Sequence, residues 1–260
     1  MKNYVISTDH ASERRQHISQ EFAAQGIAFE FFTAIIPAQI AELSERFDIN
    51  LSNNQRLSPE EKACFFSHLS LWQKMLDENI EYMAIFEDDV HLGEKAHLFL
   101  NNDDWLDLLD FHLIKLETWQ ELVHIGKPLL SMHKRDFSRL KSCHVGMAAY
   151  IIHKSAIAPI LHFIRNLPDH ERFAIDHVIF DALLNTLNTW QMHPALAIQA
   201  DRLLDTNQAT KLPSQINQGR KNNSFIYIAN DSNAKKLKKF FRRIYRSIGK
   251  RTFYQRIPFR

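Results

Sequence analysis

Glu87-Asp88-Asp89 is the tripeptide of this chain best suited to chemistry. It ends the short apolar run Tyr82-Met83-Ala84-Ile85-Phe86, which has the length of a buried strand. In open α/β sheets, ligands bind just outside the carboxyl ends of strands, so three acids stand where a site belongs. Alternate side chains of an extended segment point the same way. Glu87 and Asp89 therefore converge on one point while Asp88 faces elsewhere. Carboxylates held together repel unless a cation neutralises them, and hard oxygen ligands suit Mg²⁺ or Mn²⁺. An ion held by Glu87 and Asp89 would bridge the diphosphate of a nucleotide and stabilise it as a leaving group. The competing reading is an acidic surface turn. The chain has six glycines and no GxG, so neither a Walker loop nor a dinucleotide fingerprint can be built. GxSxG and HExxH are also missing.

The surrounding pattern supplies elements to hold such a site. Asn3 to Ser7 reads as a strand, and Glu13 to Gln25 as a helix with Ile18 and Phe22 along one side and Gly26 as its cap. Phe29 to Ala34 reads as a second strand, which makes a βαβ opening and implies parallel pairing. Ser58-Pro59-Glu60-Glu61 is a capping box with Pro in the first turn. The helix it starts is expected to reach Asn79, with Phe65, Leu69, Trp72 and Leu76 on one face. Further strands are expected at Phe111–Leu116, Val145–Ile152 and Ala195–Gln199, and helices at Lys154–Asn166 and Ala174–Leu187. Leu204 to Ser224 is polar and reads as a loop.

The 260 residues are 45% hydrophobic and 24% charged, as expected for a globular protein with a sizeable core. Two cysteines, Cys64 and Cys143, are too few for a disulfide scaffold and fit a reducing compartment as buried thiols. The apolar start is too short for a signal peptide, and no stretch is long enough to span a bilayer. A cytoplasmic protein, or one bound to the inner membrane from that side, is expected. The net charge of +2 conceals an asymmetry: residues 235–260 carry eleven Lys or Arg and no acid, leaving −9 on residues 1–234. Leu237, Phe240, Phe241, Ile244, Tyr245 and Ile248 recur at helical spacing among those basic residues. A basic amphipathic helix over 233–249 suits an anionic bilayer surface. It would serve equally to pack on the body; nucleic acid is disfavoured by the acidic body and the lack of a recognition motif. The domain reading is 1–232 for the body and 233–260 for the tail.

Val5-Ile6-Ser7 with Glu13-Arg14-Arg15, Ala63 through Trp72, and Ile85 through Val90 together resemble family 25 glycosyltransferases, the lipooligosaccharide biosynthesis galactosyltransferases. The likeness continues through Ile114-Lys115-Leu116, Val145 to Ile152, Ile175-Asp176 and Pro213-Ser214, in the family's order. Ala63 stands where the family often has Gly, and the fourteen histidines have no counterpart in the family pattern. The resemblance implies an α/β fold of GT-A type: a Rossmann-like mixed sheet flanked by helices. It also implies a UDP-sugar donor, Mn²⁺ or Mg²⁺, inversion at the anomeric carbon and a lipid-linked oligosaccharide acceptor.

Under that resemblance Ile6, Ser7, Arg14, Arg15, Ala34, Ser67, His68 and Asp88 belong to the donor site, and Glu87 and Asp89 to the metal. One of Arg14 and Arg15 would meet the ribose or the diphosphate, since Arg suits phosphate oxygens; a solvated helix face is the alternative. Ala34 would let the uracil pack against backbone, and a core alanine explains it nearly as well. His68 is equally explained as a buried, hydrogen-bonded histidine. An inverting transfer needs a general base near the acceptor hydroxyl. Asp176 is the candidate, against a helix-capping role, and Glu117 is second. Gln199 and Asp201 would help close the acceptor or metal site. Two rival functions stay open: another metal-dependent nucleotide enzyme, and a non-catalytic peripheral membrane protein with a transferase-like fold.

Overall fold

The computed structural model describes residues 1–203 and 253–260, so the expected loop at 204–224 and helix at 233–249 lie outside the described residues. Its strands are β1 (Lys2–Ser7), β2 (Glu30–Thr33), β3 (Tyr82–Glu87), β4 (Val90–Leu92), β5 (Leu113–Lys115), β6 (Leu122–Met132), β7 (Arg135–Leu140), β8 (Ala149–His153), β9 (Thr189–His193), β10 (Ala197–Gln199) and β11 (Tyr254–Arg256). The α-helices are α1 (Ser12–Ala23), α2 (Ile40–Phe47), α3 (Pro59–Asp77), α4 (His97–Leu100), α5 (Ile157–Arg165) and α6 (Ile175–His177). Nine strands form one mixed sheet in the order β11-β6-β7-β9-β5-β8-β3-β1-β2, and β10 pairs with β4 beside it.

The βαβ opening is present: β1 pairs in parallel with β2 on one side and with β3 on the other. The three strands therefore end at one sheet edge, at Ser7, Thr33 and Glu87. Beyond β3 the sheet turns antiparallel through β8, and only β5 with β9 is parallel again. Alternation along β1 sorts the core into two layers. Tyr4 and Ile6 face Phe65, Leu69 and Trp72 of α3, whereas Val5 faces Ile18 and Phe22 of α1.

Local chemistry fixes the helix ends. Gly26 takes φ +62 after α1, as a left-handed cap requires. Before α3, the Ser58 hydroxyl accepts from Glu61 N at 3.2 Å and the Glu61 carboxylate accepts from Ser58 N at 2.9 Å. Along α3 the buried residue near the far end is Met75; Leu76 is exposed. The single helix expected at Ala174–Leu187 is instead α6 followed by a π-turn at Val178–Ala182. Val178, Ile179 and Phe180 are all buried, and three successive residues span roughly 200° of an α-helix. A wider turn lets them all face inward. The last eight residues, assigned to the tail by composition, return to the body. β11 pairs antiparallel with β6, and Ile257 is buried beneath Thr118, whose hydroxyl donates to its carbonyl at 2.7 Å.

Candidate active site

The shared carboxyl edge of β1, β2 and β3 borders a cleft of about 350 Å³. It is lined by Ile6, Ser7, Arg14, Ala34, Ser67, His68, Glu87, Asp88 and Asp89, together with Cys64 and Gln199. Ten residues singled out by sequence, Gln199 among them, thus meet in one place. Arg15 does not join them: it pairs with Asp9 at 2.9 Å and lies over the Phe31 ring at 4.1 Å. Of the two arginines, Arg14 is the one on the site.

β3 ends at Glu87, and Asp88 and Asp89 follow in a turn. All three acids line the cleft, so Asp88 does not face elsewhere as expected from strand alternation. Asp88 accepts from the Ser7 hydroxyl at 2.7 Å and from Arg14 at 2.5 Å. Glu87 and Asp89 both accept from the Gln199 amide, at 3.2 and 3.3 Å, so their lone pairs converge on one region. Gln199 is held there because β10 pairs with β4 immediately after the acidic turn, and Ala200 N donates to Asp89 O at 2.8 Å. Burial, then Asp89 and Glu117, push the Glu87 carboxyl well above its usual range. Burial also raises Asp89, against the pull of Arg14, which stands 3.6 Å away. A buried and a partly buried carboxylate that both resist ionising, with oxygen atoms converging, are a donor set suited to a hard divalent cation.

Ser67 lines the cleft with its hydroxyl engaged, donating to Ala63 O and accepting from Ile35 N, both at 2.9 Å. It tethers the segment after β2, including Ala34, to α3. His68 is fully buried, and burial lowers its pKa to about 3, so the ring is neutral. Its tautomer follows from its neighbours. Trp72 Nε1 can only donate, and it donates to the Tyr150 oxygen at 3.0 Å. The Tyr150 proton then goes to His68 Nδ1 at 3.0 Å. His68 therefore carries its proton on Nε2, which has no partner among the described residues.

Asp176 and Glu117 occupy different surroundings. Asp176 is partly exposed and accepts from Gly146 N at 3.0 Å and His177 N at 2.8 Å. Its charge acts on Cys64, His68 and Glu117, although Asp176 is not among the residues lining the cleft. Glu117 is fully buried, paired with the equally buried Lys115 at 2.8 Å and accepting from Ala148 N at 2.8 Å. Lys115 also donates to Gly146 O. Lys115 thus holds Gly146 through its carbonyl, while the N–H of the same residue, in the preceding peptide, donates to Asp176. Gly146 has φ +92, and a Cβ there would lie 2.2 Å from Trp119 Nε1, so glycine is required twice over. Asp201 pairs with its neighbour Arg202 at 3.4 Å, and its charge adds to the rise at Asp89. Sequence reasoning passed over Cys64, Tyr150 and Lys115. Lys115 carried a signal, being the one charge within Leu113–Leu116 and two residues from Glu117 on the same strand face.

Residues 1–179 match the model of glycosyltransferase family 25 (LPS biosynthesis protein). The chain belongs to this family. It is 35% identical to the lipooligosaccharide biosynthesis protein lex-1 of Haemophilus influenzae, over 87% of this chain and 84% of the relative. It is 36% identical to the lipooligosaccharide biosynthesis protein lic2B of the same species, over 95% of each. The lacto-N-neotetraose biosynthesis glycosyltransferase LgtE of Neisseria gonorrhoeae is 38% identical, over 76% of this chain and 74% of its own length. The carboxylate-lined cleft lies wholly within this glycosyltransferase family region, apart from Gln199. No described helix is long and apolar enough to cross a membrane.

Proposed function

We propose that the chain is an inverting, metal-dependent transferase of GT-A type that moves a hexose from a UDP-sugar to the oligosaccharide of a lipooligosaccharide. Galactose is the hexose we favour, giving a β-galactosyl product. The observation that carries the reading is the convergence of Glu87 and Asp89, with Asp88 tied to Ser7 and Arg14, at the carboxyl ends of three parallel strands. The names of the family 25 relatives support the class of acceptor.

In this reading Glu87 and Asp89 hold Mg²⁺ or Mn²⁺, which supplies positive charge to the leaving diphosphate. Arg14 adds a guanidinium suited to phosphate oxygens. Ile6 and Ala34 offer backbone and small apolar surface to the base, and His68 offers its Nε2–H as a donor. Asp176 takes the proton of the acceptor hydroxyl as that oxygen bonds to the anomeric carbon and the bond to the diphosphate breaks. Attack from the face opposite the leaving group inverts the configuration. The basic residues at 233–249 would hold the enzyme at an anionic membrane surface on the cytoplasmic side, near a lipid-linked acceptor.

The test is UDP release from a panel of UDP-sugars with Mn²⁺, with and without truncated lipooligosaccharides. Release from one sugar, stimulated by acceptor and abolished by chelation, supports the reading and names the donor. Nucleotide incorporation or phosphate release would assign a different metal-dependent reaction. Silence with every sugar and acceptor would favour a non-catalytic membrane protein.

A further inference from the structure

Among the fourteen histidines, two have a use that the donor cleft does not explain. His17 and Glu21 sit four residues apart on α1 and so share a face. His91 reaches them from β4. One ligand atom from each of the three lies within 4.8 Å of the other two. The His17 and His91 rings meet edge to face with centroids 4.6 Å apart.

The hydrogen bonds prepare these groups as ligands. His17 Nε2 lies 2.8 Å from Val90 O. A carbonyl only accepts, so Nε2 carries the proton and Nδ1 keeps a lone pair. His91 Nδ1 lies 3.1 Å from Glu21 Oε1, and its buried Nε2 has no partner among the described residues. Glu21 also accepts from Leu92 N at 2.8 Å. These bonds, with the two imidazoles nearby, outweigh burial and lower its pKa.

We propose that His17, Glu21 and His91 form a second cation site, of zinc type, that ties α1 to β4. Two imidazoles and one carboxylate, with water completing the shell, suit Zn²⁺ far better than Mg²⁺ or Mn²⁺. Tetrahedral bonds of about 2.0–2.1 Å place ligand atoms roughly 3.3 Å apart. The His91–Glu21 spacing already has that length, and the third side chain closes by rotation about its own bonds. As the ion takes His91 Nδ1, the proton there is exchanged through solvent for one on Nε2, so the ring stays a neutral imidazole. Arg14 precedes His17 by three residues on α1, and Asp89 precedes His91 by two. An ion here would brace the two segments that bring Arg14 to the acidic turn, without contacting the donor.

The experiment uses the full chain, freed of metal by chelation, with Co²⁺ as the probe and saturating Mg²⁺ to occupy the carboxylate cleft. One equivalent of Co²⁺ should bind with tetrahedral ligand-field bands and be displaced by Zn²⁺. Asp89→Asn should leave those bands unchanged. His17→Ala and His91→Ala should each weaken binding at least about tenfold. Absence of the bands in the wild type, or their survival in both histidine variants, would overturn the proposal. If the variants do not fold, Cu²⁺ bound to the Mg²⁺-loaded wild type decides. Its spin-resonance spectrum should show two nitrogen donors, and fewer than two rules the site out.

Discussion

Glu87 and Glu117 are carboxylates at the edge of one sheet, two strands apart; Glu117 is fully buried and Glu87 partly, and their surroundings compensate them differently. Glu117 has an ammonium at 2.8 Å, a backbone donor at 2.8 Å and no exposure. Glu87 shares its corner with Asp88 and Asp89; the cation paired with those two is Arg14, and Glu87 itself has an amide at 3.2 Å and a thiol at 4.0 Å. A buried charge that brings its own partner stiffens the fold around it. A buried cluster of like charges with too little compensation keeps a standing demand for a cation. The first arrangement is suited to positioning, and the second to the cation proposed above.

The comparison breaks most visibly at Asp89. Asp89→Asn should lower sugar transfer by at least about 10³-fold, because charge on the departing diphosphate loses its counter-ion. The same variant should lose the Mn²⁺-dependent part of the thermal shift given by UDP, while its metal-free melting temperature does not fall. An unchanged response to Mn²⁺ and UDP would remove Asp89 from the metal site. Asp176→Asn comes next, with transfer reduced by about 10²–10⁴-fold at unchanged donor affinity. Glu117→Gln should instead lower the melting temperature more than it lowers turnover. Near wild-type transfer by Asp176→Asn would hand the role of base to another group.

The opposite cluster is probed through its cation. Lys115→Met leaves Glu117 unpaired in the interior, where burial already raises its carboxyl, and should cost about 3–5 kcal/mol in chemical denaturation. Adding Glu117→Gln to that variant should recover a large part of the loss, since the charge needing a partner is gone. Simple additivity of the two substitutions would mean that the pair is not coupled in the folded protein.

How far each cluster was legible follows the distance over which it is built. The capping box at Ser58, the opening β1–α1–β2 unit and the acidic end of β3 are local patterns, and the structure contains all three. Arg14 was readable by type, though choosing it over Arg15 required the Asp9 and Phe31 contacts. The β6–β7 hairpin was missed. Its turn, His133-Lys134, takes positive φ without glycine or asparagine, and Pro128 interrupts the pairing register. Helix α2 went unread although Ile40, Leu43 and Phe47 recur at helical spacing and are buried. What closes the site is long-range. Gln199 meets Glu87 across 112 residues, and His68 meets Tyr150 across 82. No local pattern encodes those meetings; they follow from the order of strands in the sheet.

The smallest expected effect is a pH slope, and it separates the buried histidines from the carboxylates of the cleft. His144 is buried, with Nδ1 donating to Gln191 Oε1 at 2.8 Å and Nε2 accepting from Trp119 N at 3.3 Å. The bond from Trp119 requires the neutral ring, because a protonated Nε2 cannot accept. Burial and the Lys115 charge lower its pKa to about 3, and burial does the same for His68. In the unfolded chain each returns to an ordinary value near 6.5. Between those limits the unfolded state binds protons that the native state refuses, so this stability is intact above pH 6.5 and declines as pH falls. Each histidine contributes up to about 1.4 kcal/mol per pH unit to that slope. The cleft carboxylates act in the other direction: their raised pKa values make the native state the better proton acceptor, which favours folding as pH falls. Urea unfolding of the metal-free protein from pH 7 to pH 5 should therefore show a shallower acid loss in His144→Gln and a steeper one in Glu87→Gln. Equal slopes in the two variants and the wild type would mean that neither buried group keeps its native protonation state through this range.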